Sequence, residues 1–298
     1  CFNDMYFFPD VTAHVASQTG IRAAVGLILL DFPSSWAEDP DGYFARAIAV
    51  HDHFRADPLV STMFAPHAPY SVSDEPLIKL RTLADEMDLP IHMHVHETQD
   101  EINIGLKSHG KRPMQRLQDL GLLSPALAAV HTCQLNEEDF DLLATSGSHV
   151  VHCPESNMKL ASGFCPVHRL QQAGVNVALG TDGAASNNDL DMISEMRTAA
   201  LLGKAVAQDA SALPAYEVLK MATLNGANAL GLGEHTGSLE NAKAADITAI
   251  NLGSAETQPL YNPVSQIVYA AGREQVTDVW VGGETLLRNR SLTTIDLK

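Results

Sequence analysis

The 298 residues carry 36 acidic against 19 basic side chains, a formal charge of −17 at neutral pH. Like charge would repel a nucleic-acid backbone or an anionic membrane surface, so neither is expected as a partner. The length suits one α/β barrel or two smaller domains, enough for an enzyme acting on a small-molecule substrate, alone or as a homo-oligomer.

No apolar run is long enough to span a bilayer, and the first residues lack the basic-then-apolar order of a secretory signal. Four cysteines, Cys1, Cys133, Cys153 and Cys165, show no Cys-x-x-Cys spacing and are too few for a disulfide framework. A cytoplasmic protein with reduced thiols is expected.

Short apolar strands alternate with amphipathic helices. Strands are predicted at Arg22 to Leu30, Leu59 to Ala65, Pro90 to His96, Ala128 to His131, Ser148 to His152 and Val175 to Gly180. Tyr43 to Phe54 reads as a helix. Its His51 and His53, two residues apart, point to different sides of the axis and read as surface residues. Ser73 can cap a helix with Leu77, Leu80, Ala84 and Met87 on one stripe, which stops before Pro90. Asn136 caps another that holds Phe140 and Leu143 and ends at Gly147. A third starts at Asn188 or Asp189 and buries Met192, Ile193, Met196 and Ala200. From Gly237 the helix signal fades, so residues 1–236 read as a barrel and 237–298 as a small β appendage.

Within Leu89 to Gln99 the alternation is that of a strand, placing His92, His94 and His96 on one face. Glu97 follows at once. A neutral imidazole can ligate a metal or carry a proton, and a carboxylate just past a strand end can act as general acid or base beside it. Repeated β-loop-α units imply parallel strands, in a barrel or an open sheet. His67, His94, Glu97, His131, His152 and Asp182 all fall at or just after strand ends. A (β/α)₈ barrel gathers such ends at one mouth, whereas an open sheet would spread them along an edge, so the barrel is predicted. Asp182, flanked by Gly180 and Gly183, reads equally well as a ligand or as a turn former. Trp36 can stack on a purine or serve as packing. His92 and His96 read as partners of a ligand or as polar filling.

The motifs His67-Ala-Pro-Tyr70, His94-Val-His-Glu97, His131-Thr-Cys, His152-Cys-Pro-Glu-Ser-Asn-Met-Lys-Leu-Ala-Ser-Gly163 and Leu179-Gly-Thr-Asp-Gly-Ala-Ala-Ser-Asn-Asn188 resemble the amidohydrolase superfamily. Within it they are most similar to the 5-methylthioadenosine/S-adenosylhomocysteine deaminases and their triazine-hydrolase relatives. The resemblance implies a TIM-like barrel with a small β-sandwich appendage. It implies one divalent metal, zinc, with His94 and Asp182 among its ligands, since no lysine stands where a bridging carbamate would need one. Glu97 would exchange a proton with a ring nitrogen, His131 would steady the attacking water and Asp182 would take its proton. His67, Glu97, Trp36 and Ser186 would contact substrate.

The implied reaction is hydrolytic deamination of 5-methylthioadenosine or S-adenosylhomocysteine. Guanine, a pterin or an s-triazine are alternative substrates. Two departures stand out. The family's first-strand His-x-His has no counterpart, and Cys1-Phe-Asn-Asp matches its second strand, so the first strand is expected to lie outside these residues. A non-catalytic barrel is the rival reading. The loop Asp31 to Trp36 also lacks the arginine that some relatives place there.

Overall fold

The computed structural model describes residues 1–296. The chain forms two compact units, Cys1–His149 and Val150–Lys298.

The first unit runs β1 (Phe2–Asp4), α1 (Pro9–Thr19), β2 (Ala23–Leu29), α2 (Pro40–Phe54), β3 (Val60–Pro66), α3 (Asp74–Met87) and β4 (Ile91–Val95). It continues through α4 (Gln99–His109), α5 (Pro113–Asp119), β5 (Leu127–His131) and α6 (Glu137–Ser146). Its five strands pair in parallel in sequence order. Every residue of β2 is buried, the pattern of a parallel strand covered on both faces. Gly26 is required there, because a Cβ would stand 2.2 Å from the Asp4 carbonyl oxygen of the neighbouring strand. The α3 stripe buries Leu77, Leu80 and Ala84 as expected, while Met87 is only partly buried. Ser73 occupies the cap position, yet its hydroxyl makes no cap bond and its N–H donates to Asp31 Oδ2 at 2.8 Å. Asn136 and Asp139 form a reciprocal capping box at α6, which Gly147 ends.

The expected face of three histidines is only partly realised. β4 stops at Val95, and His96 turns into left-handed backbone at φ 56. Its imidazole is fully buried, while His92 and His94 stay neighbours with ring centroids 6.0 Å apart. His51 also departs from expectation: its Nδ1 lies 2.8 Å from Thr62 Oγ1, tying α2 to β3.

The second unit contains β6 (His149–His152, starting at the boundary), α7 (Pro154–Lys159), α8 (Val167–Gln172), β7 (Val177–Leu179) and α9 (Met192–Ala207). Beyond them lie α10 (Ala215–Met221), α11 (Leu224–Ala229), β8 (Ile247–Ile250), α12 (Pro263–Tyr269), β9 (Val276–Val281), β10 (Glu284–Arg288) and β11 (Ser291–Leu292). β6 and β7 pair in parallel, and β8 to β11 make an antiparallel sheet ordered β11-β10-β9-β8.

Two expectations need correction. α9 starts at Met192 rather than near Asn188, because Asn187 Oδ1 holds the Leu190 N–H in a turn and Asp191 then caps the helix. The last sixty residues include α12, which Asn262 caps through the Ser265 N–H. Among the described residues no helix is long and apolar enough to cross a membrane.

Candidate active site

In the first unit the ends of β3, β4 and β5 bring four side chains together. His67 follows β3, His94 is the half-buried residue near the end of β4, Glu97 sits on the turn after it, and His131 closes β5. The His67 and His94 ring centroids are 5.1 Å apart. His94 and His131 stack at 5.3 Å. His131 Nε2 lies 3.8 Å from Glu97 Oε2, with the His131 side chain buried and the Glu97 side chain 23% exposed. A buried imidazole thus faces a carboxylate that remains open to an incoming molecule.

The tautomer of His94 follows from its partner. Its Nδ1 is 2.9 Å from the His67 carbonyl oxygen, which can only accept, so Nδ1 carries the proton. In the neutral ring Nε2 then keeps its lone pair, the form a metal ligand needs. His67 Nδ1 is 2.9 Å from Ser71 Oγ. Burial holds the His67 pKa below the usual histidine value, against the opposing charge of Glu97. Its loop is pinned by Arg116, which donates to the Pro69 and Val72 carbonyls and pairs with Asp74.

Under Glu97 lies a network of which the sequence motifs singled out only His96. Glu101, 3% exposed, accepts from the His96 and Glu97 backbone N–H groups, both at 2.8 Å. Burial pushes its carboxyl up to about 7, although both N–H groups pull the other way. His96 Nε2 accepts from the Met114 N–H at 3.0 Å, so its proton sits on Nδ1, 3.5 Å from Asp139 Oδ2. Burial lowers the His96 pKa to about 4, keeping the ring neutral. Arg112 completes the set, donating to Asp139 Oδ2 at 2.7 Å and to the Gln134 carbonyl.

In the second unit Asp182 has left-handed backbone at φ 63. Its Oδ2 accepts from Ser156 Oγ at 2.6 Å and Ser186 Oγ at 2.7 Å, and its Oδ1 from the Gly183 N–H at 2.7 Å. Ser186, expected at the substrate, therefore serves Asp182. Ser156 does the same and had passed as an ordinary member of its motif. Below them Glu195, fully buried, accepts from the Asn187 side chain, and burial raises its pKa to about 8.

Trp36 packs elsewhere in the first unit. Its buried indole lies against Tyr43, its N–H donates to Asp10 Oδ1 at 3.2 Å, and it lines a cavity of about 510 Å³ with His14, Arg46 and His53.

The model of the amidohydrolase family matches residues 2–286. The chain belongs to the amidohydrolase family. It is 50% identical to the 5-methylthioadenosine/S-adenosylhomocysteine deaminase of Teredinibacter turnerae, covering 100% of this chain and 67% of the relative. It is 42% identical to the 5′-deoxyadenosine deaminase of Methanothermobacter thermautotrophicus, over 100% of this chain and 69% of that one. A solved adenosine deaminase from Xanthomonas campestris with bound zinc superposes with a TM-score of 0.97 at 55% identity, covering 99% of this chain and 67% of that one. This amidohydrolase therefore spans about two thirds of the length of its relatives. Its fold class is the TIM-like barrel that the alternation of strands and helices predicts, and a separate four-stranded antiparallel sheet accompanies it.

Proposed function

We propose that this amidohydrolase hydrolytically deaminates an adenine nucleoside modified at its 5′ position, with 5-methylthioadenosine and S-adenosylhomocysteine as first candidates. The observation that carries the reading is the half-open Glu97 carboxylate 3.8 Å from the buried His131 ring, with His94 stacked on that ring. Hydrolysis at an amine-bearing ring carbon needs one group to protonate the adjacent ring nitrogen and another to hold a water. General acid-base groups do so within direct hydrogen-bond reach or through one water. Glu97 is the proton donor to the ring nitrogen in this proposal, and His131 orients the water beside it. His67, kept neutral by burial, offers a hydrogen bond to the nucleoside without a competing charge.

A divalent metal belongs to the proposal, and zinc, present in the solved relative, is the first candidate. His94 offers an unprotonated Nε2 and Asp182 a carboxylate, donors of the right kind. Among the described residues no group of three His, Cys, Asp or Glu side chains gathers in metal-holding geometry. Catalytic zinc sites usually have three protein ligands. The donors therefore suit zinc in kind and fall short in number. When bound, such an ion makes water a nucleophile at neutral pH. The same proposal divides the chain at 236/237 into a hydrolase barrel and a β appendage.

The test is ammonia release from a panel of 5-methylthioadenosine, S-adenosylhomocysteine, 5′-deoxyadenosine, guanine and an amino-s-triazine, with zinc supplied. Turnover of the 5′-modified adenosines supports the proposal. Turnover of guanine or the triazine in their place, or of none, overturns it.

A further inference from the structure

We infer that Glu101 is a positioning residue, whose carboxylate clamps the main chain of the turn carrying Glu97 and thereby sets where the Glu97 carboxyl stands.

The turn needs such a clamp. His96 sits at φ 56, a left-handed backbone region that few non-glycine residues occupy, His somewhat more readily than most. The strand ladder has ended one residue earlier, so the N–H groups of His96 and Glu97 have no strand partner along β4. Glu101 takes both at 2.8 Å, one on each oxygen. It reaches back because Thr98 caps α4 through the Glu101 N–H, placing the side chain under the first turn of that helix. The other contacts of the turn go elsewhere: the His96 carbonyl accepts from the Cys133 and Gln134 N–H groups at 2.9 Å, and the His96 ring is held by Met114 and Asp139. The carbonyl bonds tie the turn to the loop after β5, the one that follows His131, and the ring contacts tie it to α5 and α6. Glu101 in addition takes the backbone N–H of Glu97 itself. Moving that N–H moves the Cα of Glu97 and with it the 3.8 Å gap to His131.

In Glu101→Gln one oxygen becomes an NH₂ group, which faces an N–H and cannot accept from it. The shape is kept and one clamp bond is lost. Glu101→Asp keeps both acceptors but withdraws them by one methylene. Only the kinetic part of the test rests on the deaminase reading. Backbone amide exchange, followed by NMR, is expected to quicken about tenfold or more at His96 or Glu97 in Glu101→Gln while Met93 inside β4 stays protected. With 5-methylthioadenosine, kcat is expected to fall ~10–100-fold with KM within about threefold, because a misplaced group costs the chemical step rather than binding. Glu101→Asp is expected to fall between the two, and stands in should the Gln variant not fold.

Unchanged exchange at both amides overturns the inference. So does faster exchange with kcat within about twofold of the parent. Should the parent release no ammonia from any 5′-modified adenosine, the deaminase reading fails, and amide exchange alone then decides whether Glu101 holds the turn.

Discussion

Burial and hydrogen bonding pull Glu101 in opposite directions, and burial wins: the carboxyl is raised to about 7. A raised carboxyl binds its proton more tightly folded than unfolded, so the stability it contributes is complete below its unfolded pKa and is lost as pH climbs through the folded one. Glu101 should therefore cost stability above about pH 7, where it is ionised and holds both N–H groups. Thermal unfolding of the parent and of Glu101→Gln at pH 5 and pH 8 checks this. The parent is expected to lose melting temperature relative to the variant on going to pH 8, and an identical difference at the two pH values would contradict it. Glu101 escaped the sequence reading because an acidic residue in the first turn of a helix is ordinary, and only the structure shows its carboxylate turned back onto the His96 and Glu97 N–H groups. His67, His94, Glu97 and His131 were legible from their places at strand ends. Asp182 and Ser186 were both legible as members of the site, while the hydrogen bond from the Ser186 hydroxyl to the Asp182 carboxylate was not.

The elements follow from burial on both strand faces and from local caps. β2 pairs with β3 along its whole length, from Ala23 opposite Val60 to Leu29 opposite Pro66, and with β1 over three residues. Gly26 sits where β1 comes nearest. Gly26→Ala would drive its methyl into the Asp4 carbonyl, an overpacking that typically costs ~1–3 kcal/mol. Urea unfolding of that variant is expected to show the loss, and a midpoint equal to the parent's would mean that β1 yields freely. Five of the six strands predicted from apolar runs end within one residue of their observed limits. β7 is shorter, Val177–Leu179, because apolar character at Val175 outlasts the pairing. The start of α9 was misplaced because Asn188 and Asp189 are good caps by type, while the turn held by Asn187 delays the helix to Asp191.

At the scale of the molecule, the fold class was legible because the alternation of apolar strand and amphipathic helix persists along the chain, and a TM-score of 0.97 to a solved relative bears it out. The place where one compact unit gives way to the next was not. It falls between His149 and Val150, inside a run His149-Val-Val-His152 that carries no turn residue to mark it. The second unit holds Asp182 and the serines that donate to it, and the first holds the imidazoles and Glu97.

Under the proposed function Glu97 carries the proton in a hydrolysis that releases the adenine amine. The most direct measurement compares the parent with Glu97→Gln, following ammonia and the hypoxanthine-type product of 5-methylthioadenosine together, with zinc supplied. One ammonia per ring converted and a rate lowered ~10²–10⁴-fold in the variant are the expected results. A variant that matches the parent's rate would contradict the claim.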